Sequence, residues 1–139
     1  LETYDPAQVS LVVGGNIIGG FTDGTFIQVS RDEDTWTLLT GSDGEVARAR
    51  NHNRAGKIVV TLMQTSPAND ILSALHNRDY LTGVPAGATR IADGLGNTVM
   101  SGDEAYVLKP ADVSFGKELE AREWTIVVPK LDGLVGGAA

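Results

Sequence analysis

The stretch "GKIVVTLMQTSPANDILSALHN", residues 56–77, changes rhythm halfway, and its reading decides the fold class. As far as Gln64 it reads as a strand, with β-branched residues at nearly every step and apolar side chains on both faces. From Ser66 the pattern turns helical. Ser66 can cap, Pro67 suits the first helical position, and Asp70 sits near the positive end of the dipole. Ala68, Ile71, Leu72 and Leu75 fall on one stripe, which predicts a helix over about residues 66–77 that packs through one side. It is the only convincing helix in the chain.

Strand signals surround it. Residues 8–13 alternate, 16–18 follow a Gly-Gly turn, and 25–29 follow "TDG". "TWTLLT" (35–40) and "EVARAR" (45–50) flank "GSDG", a hairpin turn. "TRIAD" (89–93) and "NTVMS" (97–101) enclose "GLG". "EAYVLK" (104–109) and "ELEAREWTIVV" (118–128) are joined through "PADVSFG", where Pro110 interrupts pairing. In the last strand Arg122, Trp124, Ile126 and Val128 face one way. The expected fold is mainly β: an antiparallel β-sandwich or partly closed β-barrel whose single flanking helix covers an open end or edge. The C-terminal "DGLVGGAA" has too little content to fold alone and is expected to be flexible, as is the N-terminal "LETYDP". At least one of the two is expected to lie across a neighbouring subunit.

Composition sets the bounds. The 139 residues suffice for one domain with a real core. Seventeen glycines against 6% aromatics favour short strands and tight turns. A net charge of −7 argues against a protein that works by gripping nucleic acid. With no cysteine, disulfides and thiolate metal sites are excluded. No apolar run is long enough to span a bilayer and no signal peptide is visible. The chain does not begin with Met, so a trimmed N-terminus is expected, and the default location is a cytoplasm or a particle assembled in one.

Catalytic signatures are missing. His52 lies in a polar loop, and His76 falls away from the apolar stripe of the helix, so neither reads as a positioned base. There is no H-E-x-x-H, no G-x-S-x-G and no P-loop. "GGNIIGG" does not lead from a strand into a helix, and the carboxylates lack the spacing of a calcium loop. No catalytic residue, cofactor or metal site is expected.

Charge placement says more. Acidic Asp32, Glu33 and Asp34 stand at the same end of the 35–50 hairpin as a basic run that contains Arg48, Arg50 and Arg54. Arg48 and Arg50 share one strand face. Two readings stay open: an internal salt bridge across the hairpin base, or opposed patches on an extended arm, residues 31–57, that meet another copy head to tail.

The motifs "DGTFIQV", "RDED", "GSDGEVARA", "RAGKIVVTLMQTSPANDIL" and "KPADVSFGKELEAREW", in this order across roughly residues 9–128, resemble the tail tube proteins of contractile-tailed bacteriophages. The resemblance implies a single tail-tube domain over 1–139 and stacked hexameric rings whose inner sheets line a DNA-conducting channel. It also implies a place in the virion, assembly in the host cytoplasm, and sheath, baseplate and tail terminator proteins as partners. Tape measure protein and DNA would occupy the lumen without specific binding. Related folds form the tubes of type VI secretion systems and bacteriocin particles, which is one alternative. A monomeric β-barrel ligand-binding module is another.

Overall fold

Ten strands and one α-helix make up the computed structural model, which describes residues 1 and 3–137. In chain order they are β1 (Val9–Val13), β2 (Asn16–Ile18), β3 (Ile27–Arg31), β4 (Trp36–Thr40), β5 (Val46–Arg50) and β6 (Gly56–Met63). After these come α1 (Ala68–Thr82), β7 (Gly87–Asp93), β8 (Val99–Val107), β9 (Ala121–Val128) and β10 (Asp132–Leu134). Every pairing is antiparallel, in the order β2-β1-β7-β8-β9-β6-β3, with β10 added beside β8. β4 and β5 form a separate two-stranded ribbon.

β8 belongs to both leaves of the sandwich. Its first part pairs with β7, and its last residues, Tyr106 and Val107, pair with Val127 and Ile126 of β9. Gly102 marks the crossing. A Cβ there would overlap Val128 Cγ1 and stand 2.9 Å from the Lys130 carbonyl oxygen, so only glycine lets the strands approach so closely. The sheet does not close into a barrel. Among the described residues β2 and β3 end the order, each with one edge that pairs with no strand, which gives the expected antiparallel sandwich.

The core forms between the leaves. Leu11, Val13, Ile91 and Met100 from one meet Ile58, Val60, Leu62, Trp124, Ile126 and Val128 from the other. β6, read from sequence as apolar on both faces, in fact alternates. Ile58, Val60 and Leu62 are buried, while Val59 and Thr61 are half-buried on the outer face between β3 and β9. Two partly covered faces make the same β-branched pattern as two buried ones.

The helix starts at Ala68 with Pro67 as N-cap residue in a helical conformation. Ser66 still serves the turn: its Oγ accepts the Ala68 N–H at 3.2 Å and donates to the Gly19 carbonyl at 2.6 Å. Ala68, Leu72 and Leu75 are buried, with Ile71 packed against them. The helix runs five residues further than the sequence reading, to Thr82, and Gly83 ends it with a left-handed φ of 72°. Tyr80 and Leu81 in the added turn are exposed, so the apolar stripe gave no sign of it. A polar lock fixes the helix to the sheet. The buried Asn69 side chain donates to the Met63 and Ser66 carbonyls, both at 3.0 Å, and accepts the Trp124 Nε1–H at 2.9 Å.

"NTVMS" and "EAYVLK" are one continuous strand rather than two. The C-terminal segment finds backbone partners within the chain. β10 pairs with β8 of the same chain, Thr98 Oγ1 donates to the Gly136 carbonyl, and Asn97 N–H donates to that of Gly137. Backbone pairing suffices to place a segment that buries little. The last two alanines lie outside the described residues.

Candidate assembly surfaces

The arm grows from β3 and β6. Its base is pinned by Arg31, whose guanidinium donates to the Leu131 carbonyl at 2.7 Å and the Arg54 carbonyl at 3.3 Å. Leu131 is fully buried, and its N–H donates to Arg54 at 3.0 Å. Arg54 also forms a 2.8 Å salt bridge with Asp132, with both side chains more than half exposed. Such a pair contributes at most about 1 kcal/mol.

Past that base, every residue of β4 and β5 is exposed. The register pairs Trp36 with Arg50 and Leu38 with Arg48, so these four share one face. The Arg48 guanidinium lies 3.7 Å and that of Arg50 5.2 Å from the Trp36 ring centre, cation–π contacts of about 0.5–1 kcal/mol each. Leu39, Ala47 and Ala49 occupy the opposite face. A two-stranded ribbon in water is marginal by itself, and this one carries Trp36, Leu38, Leu39 and Val46 into solvent.

The acidic turn sits beside the arm base. Among the described residues, Asp32, Glu33 and Asp34 form no salt bridge with Arg48, Arg50 or Arg54. Glu33 instead accepts the Asn51 side-chain N–H at 2.7 Å. Hydrogen bonds from Asn51 first and Asn53 second hold the Glu33 carboxyl below the usual carboxylate range. Asn51 and Asn53 also build consecutive Asx turns, accepting the N–H groups of Asn53 and Ala55. Asparagine at alternate positions in "RNHNRAG" was the available signal for this turn, and the sequence reading treated the stretch only as a polar, basic loop.

The lowered pKa has a testable sign. The Glu33 contribution to arm ordering is present above the carboxylate's unfolded pKa and fades as pH falls through the lower folded value. In an NMR titration the Asn51 side-chain amide should hold its position down to the ordinary carboxylate range and move only below it. Glu33→Gln should remove that transition. A midpoint at or above the ordinary carboxylate value would refute the assignment.

Among the described residues two further surfaces are unpartnered. The first is the pair of free edges on β2 and β3. The second is a set of exposed apolar side chains on residues 108–120: Leu108, Val113, Phe115 and Leu119. Among the described residues no cluster of His, Asp or Glu could hold a metal, and no helix is long and apolar enough to cross a membrane.

A ribbon in solvent on both faces and free strand edges are surfaces suited to assembly. Residues 9–136 match the family model described as Bacteriophage PhiTE tail tube protein, and the chain belongs to that family. It is 30% identical over 133 residues to "Structural protein ORF10" of Pseudomonas phage KPP10, an alignment that covers 90% of this chain and 77% of that one. The fold is similar to that of the anti-feeding prophage tube-terminating cap (TM-score 0.65, 11% identity, 96% of this chain and 92% of the other). It is equally similar to the sheath/tube terminator of the PVC extracellular contractile injection system (TM-score 0.66, 13% identity, 97% and 99%). The protein is thus a structural component of a phage tail and not an enzyme.

Proposed function

We propose that this chain is the tube subunit of a contractile phage tail. Six copies close a ring, rings stack into a hollow tube, and the tube conducts DNA during ejection. The arm, exposed on both faces yet carrying four large apolar side chains, is the observation that carries this reading. Its natural cover is the next ring.

Barrels of about 16–18 strands already leave an aqueous channel, and duplex DNA needs a wider one, so a chain of ten strands reaches that size only through a ring. Sixfold symmetry follows from the family resemblance. The outer face of β3-β6-β9 suits the lumen. Gln28, Ser30, Val59, Thr61, Thr125 and Val127 are uncharged, and the single Lys57 is offset by Glu123. The other leaf shows Ile17 and Arg90 outward, a poorer lining for a conduit that must release phosphates. Domain 1–139 then works as one unit with the 31–57 arm as its connector. Sheath, baseplate and terminator are its tail partners, and tape measure protein and DNA pass inside. Assembly takes place in the host cytoplasm.

Electron microscopy of the concentrated protein tests this. Stacked hexameric rings with a neutral or acidic lumen are expected. Monomers at all concentrations and salts, with no tubes in native particles, would refute the tube. A lumen of unpaired Arg and Lys would refute the conduit.

A further inference from the structure

Four Asp–Gly pairs stand in the chain: Asp23–Gly24, Asp43–Gly44, Asp93–Gly94 and Asp132–Gly133. In such a pair no side chain shields the glycine N–H, so its nitrogen can close a ring on the aspartate carboxyl. Three of the four are held. Asp43 Oδ1 accepts the Glu45 N–H at 3.1 Å, and the Gly44 N–H donates to the Gly41 carbonyl at 3.0 Å. Asp93 Oδ1 accepts the Leu95 N–H at 3.2 Å, and the Gly94 N–H donates to the Gln8 carbonyl at 3.0 Å. Asp132 is paired with Arg54 at 2.8 Å, and Gly133 lies opposite Met100 in the β10–β8 pairing. These bonds must break before the ring can close, which slows the reaction at all three.

The remaining pair has no such restraint. Asp23 and Gly24 are both exposed, and among the described residues no hydrogen bond or salt bridge involves either of them or Thr25. A Cβ on Gly24 would meet nothing within 4 Å. The turn is fixed at its ends instead. The Thr22 N–H donates to the Thr61 carbonyl at 3.2 Å, and the Thr61 N–H donates to the Phe26 carbonyl at 2.9 Å. The Phe21 and Phe26 rings close the same gap, with 4.9 Å between their centres. A tip anchored at both ends and free between them can change its linkage without opening the sheet.

We propose that Asp23 is the chain's fastest site of spontaneous isomerisation, passing through a cyclic imide with Gly24 to an isoaspartyl linkage. The Gly24 nitrogen bonds to Asp23 Cγ, and the side-chain hydroxyl leaves with the amide proton as one water. A second water then opens the ring. When it breaks the bond between the nitrogen and the Asp23 backbone carbonyl carbon, Gly24 stays attached through Cγ and the former backbone carbonyl becomes a carboxylate. Water is the only co-reactant, and nothing is oxidised or reduced. The product carries one extra methylene in the backbone just before β3, an end strand of the sheet. The reaction proceeds whether or not the chain builds tubes.

Ageing the purified protein in heavy-oxygen water, at neutral pH and physiological temperature, tests this. Each ring opening leaves one heavy oxygen in the peptide that holds the site. After digestion in ordinary water, mass spectrometry should find label and isoaspartate at Asp23 building up at least tenfold faster than at Asp43, Asp93 or Asp132. In denaturant, where the fold restrains none of them, the four pairs should react at comparable rates. Asp23→Glu keeps the charge but would need a larger ring, and it should lose the signal at that position. Equal or faster reaction at any other pair of the folded protein would overturn the assignment. A signal that survives Asp23→Glu would overturn it as well. The same tenfold preference in denaturant would trace the selectivity to neighbouring residues and overturn the role given to the fold.

Discussion

The double variant R48E/R50E should fold normally and fail to build tubes at concentrations where the wild type does. Both arginines lie on a ribbon that shares no strand pairing with the sandwich, so the core does not depend on them. Losing their contacts with Trp36 loosens the ribbon by about 1–2 kcal/mol at most. The larger effect falls between copies. If the arm meets the acidic turn of the next ring, reversal places like charges opposite each other, which costs several kcal/mol per contact. Since about 1.4 kcal/mol is a tenfold change in an association constant, the threshold for assembly should rise by at least tenfold, measured by sedimentation against concentration. Wild-type assembly should also weaken with salt, as exposed charges are screened over about 8–10 Å. Adding D32K/D34K to the same chain should recover part of the loss. Normal tubes at the wild-type threshold would give the arm another role.

Leu72→Ala should have the largest effect on folding. Leu72 is fully buried where α1 meets the sandwich, and truncation leaves a cavity in a core filled by both leaves. The expected loss is about 2–5 kcal/mol, a large share of the roughly 5–15 kcal/mol that stabilises a typical domain. Denaturant unfolding of the monomer would show a lower midpoint with an unchanged slope. Leu81→Ala, 79% exposed on the same helix, should change stability by less than about 0.5 kcal/mol. Equal losses in the two variants would contradict the packing described.

Local patterns carried most of the fold. The strand-to-helix switch at Ser66, the hairpin around "GSDG" and the inward row Trp124, Ile126 and Val128 are each set by residues close in sequence, and each is where the sequence placed it. What was illegible depends on distant partners. β8 is one strand because β7 and β10 flank its first residues and β9 takes up its last two, which no window of its own residues reveals. β10 forms from "DGL", a tripeptide without strand propensity, because β8 offers it an edge. Asn69 lies outside the apolar stripe of the helix, and its bond with the Trp124 Nε1–H joins residues far apart in sequence. At the arm, the charges of Asp32–Asp34 and Arg48–Arg54 were plain in the sequence. The cover that Arg48 and Arg50 find on Trp36, and the clamp of Arg31 on Leu131, needed the register and the tail.

The late position of β10 also sets a timetable. Leu11 must wait for Ile91, and Ser101 gains its second neighbour only when Asp132 has left the ribosome. Topologies built from such distant pairs fold slowly. The β4–β5 ribbon, by contrast, emerges early and pairs locally, though alone it is marginal. The root of the arm waits as well, because the Arg31 clamp on Leu131 and the Arg54–Asp132 pair form only once residues 131 and 132 exist. One late segment thereby completes both the sheet and the seat of the arm, so the two surfaces gain their final geometry together.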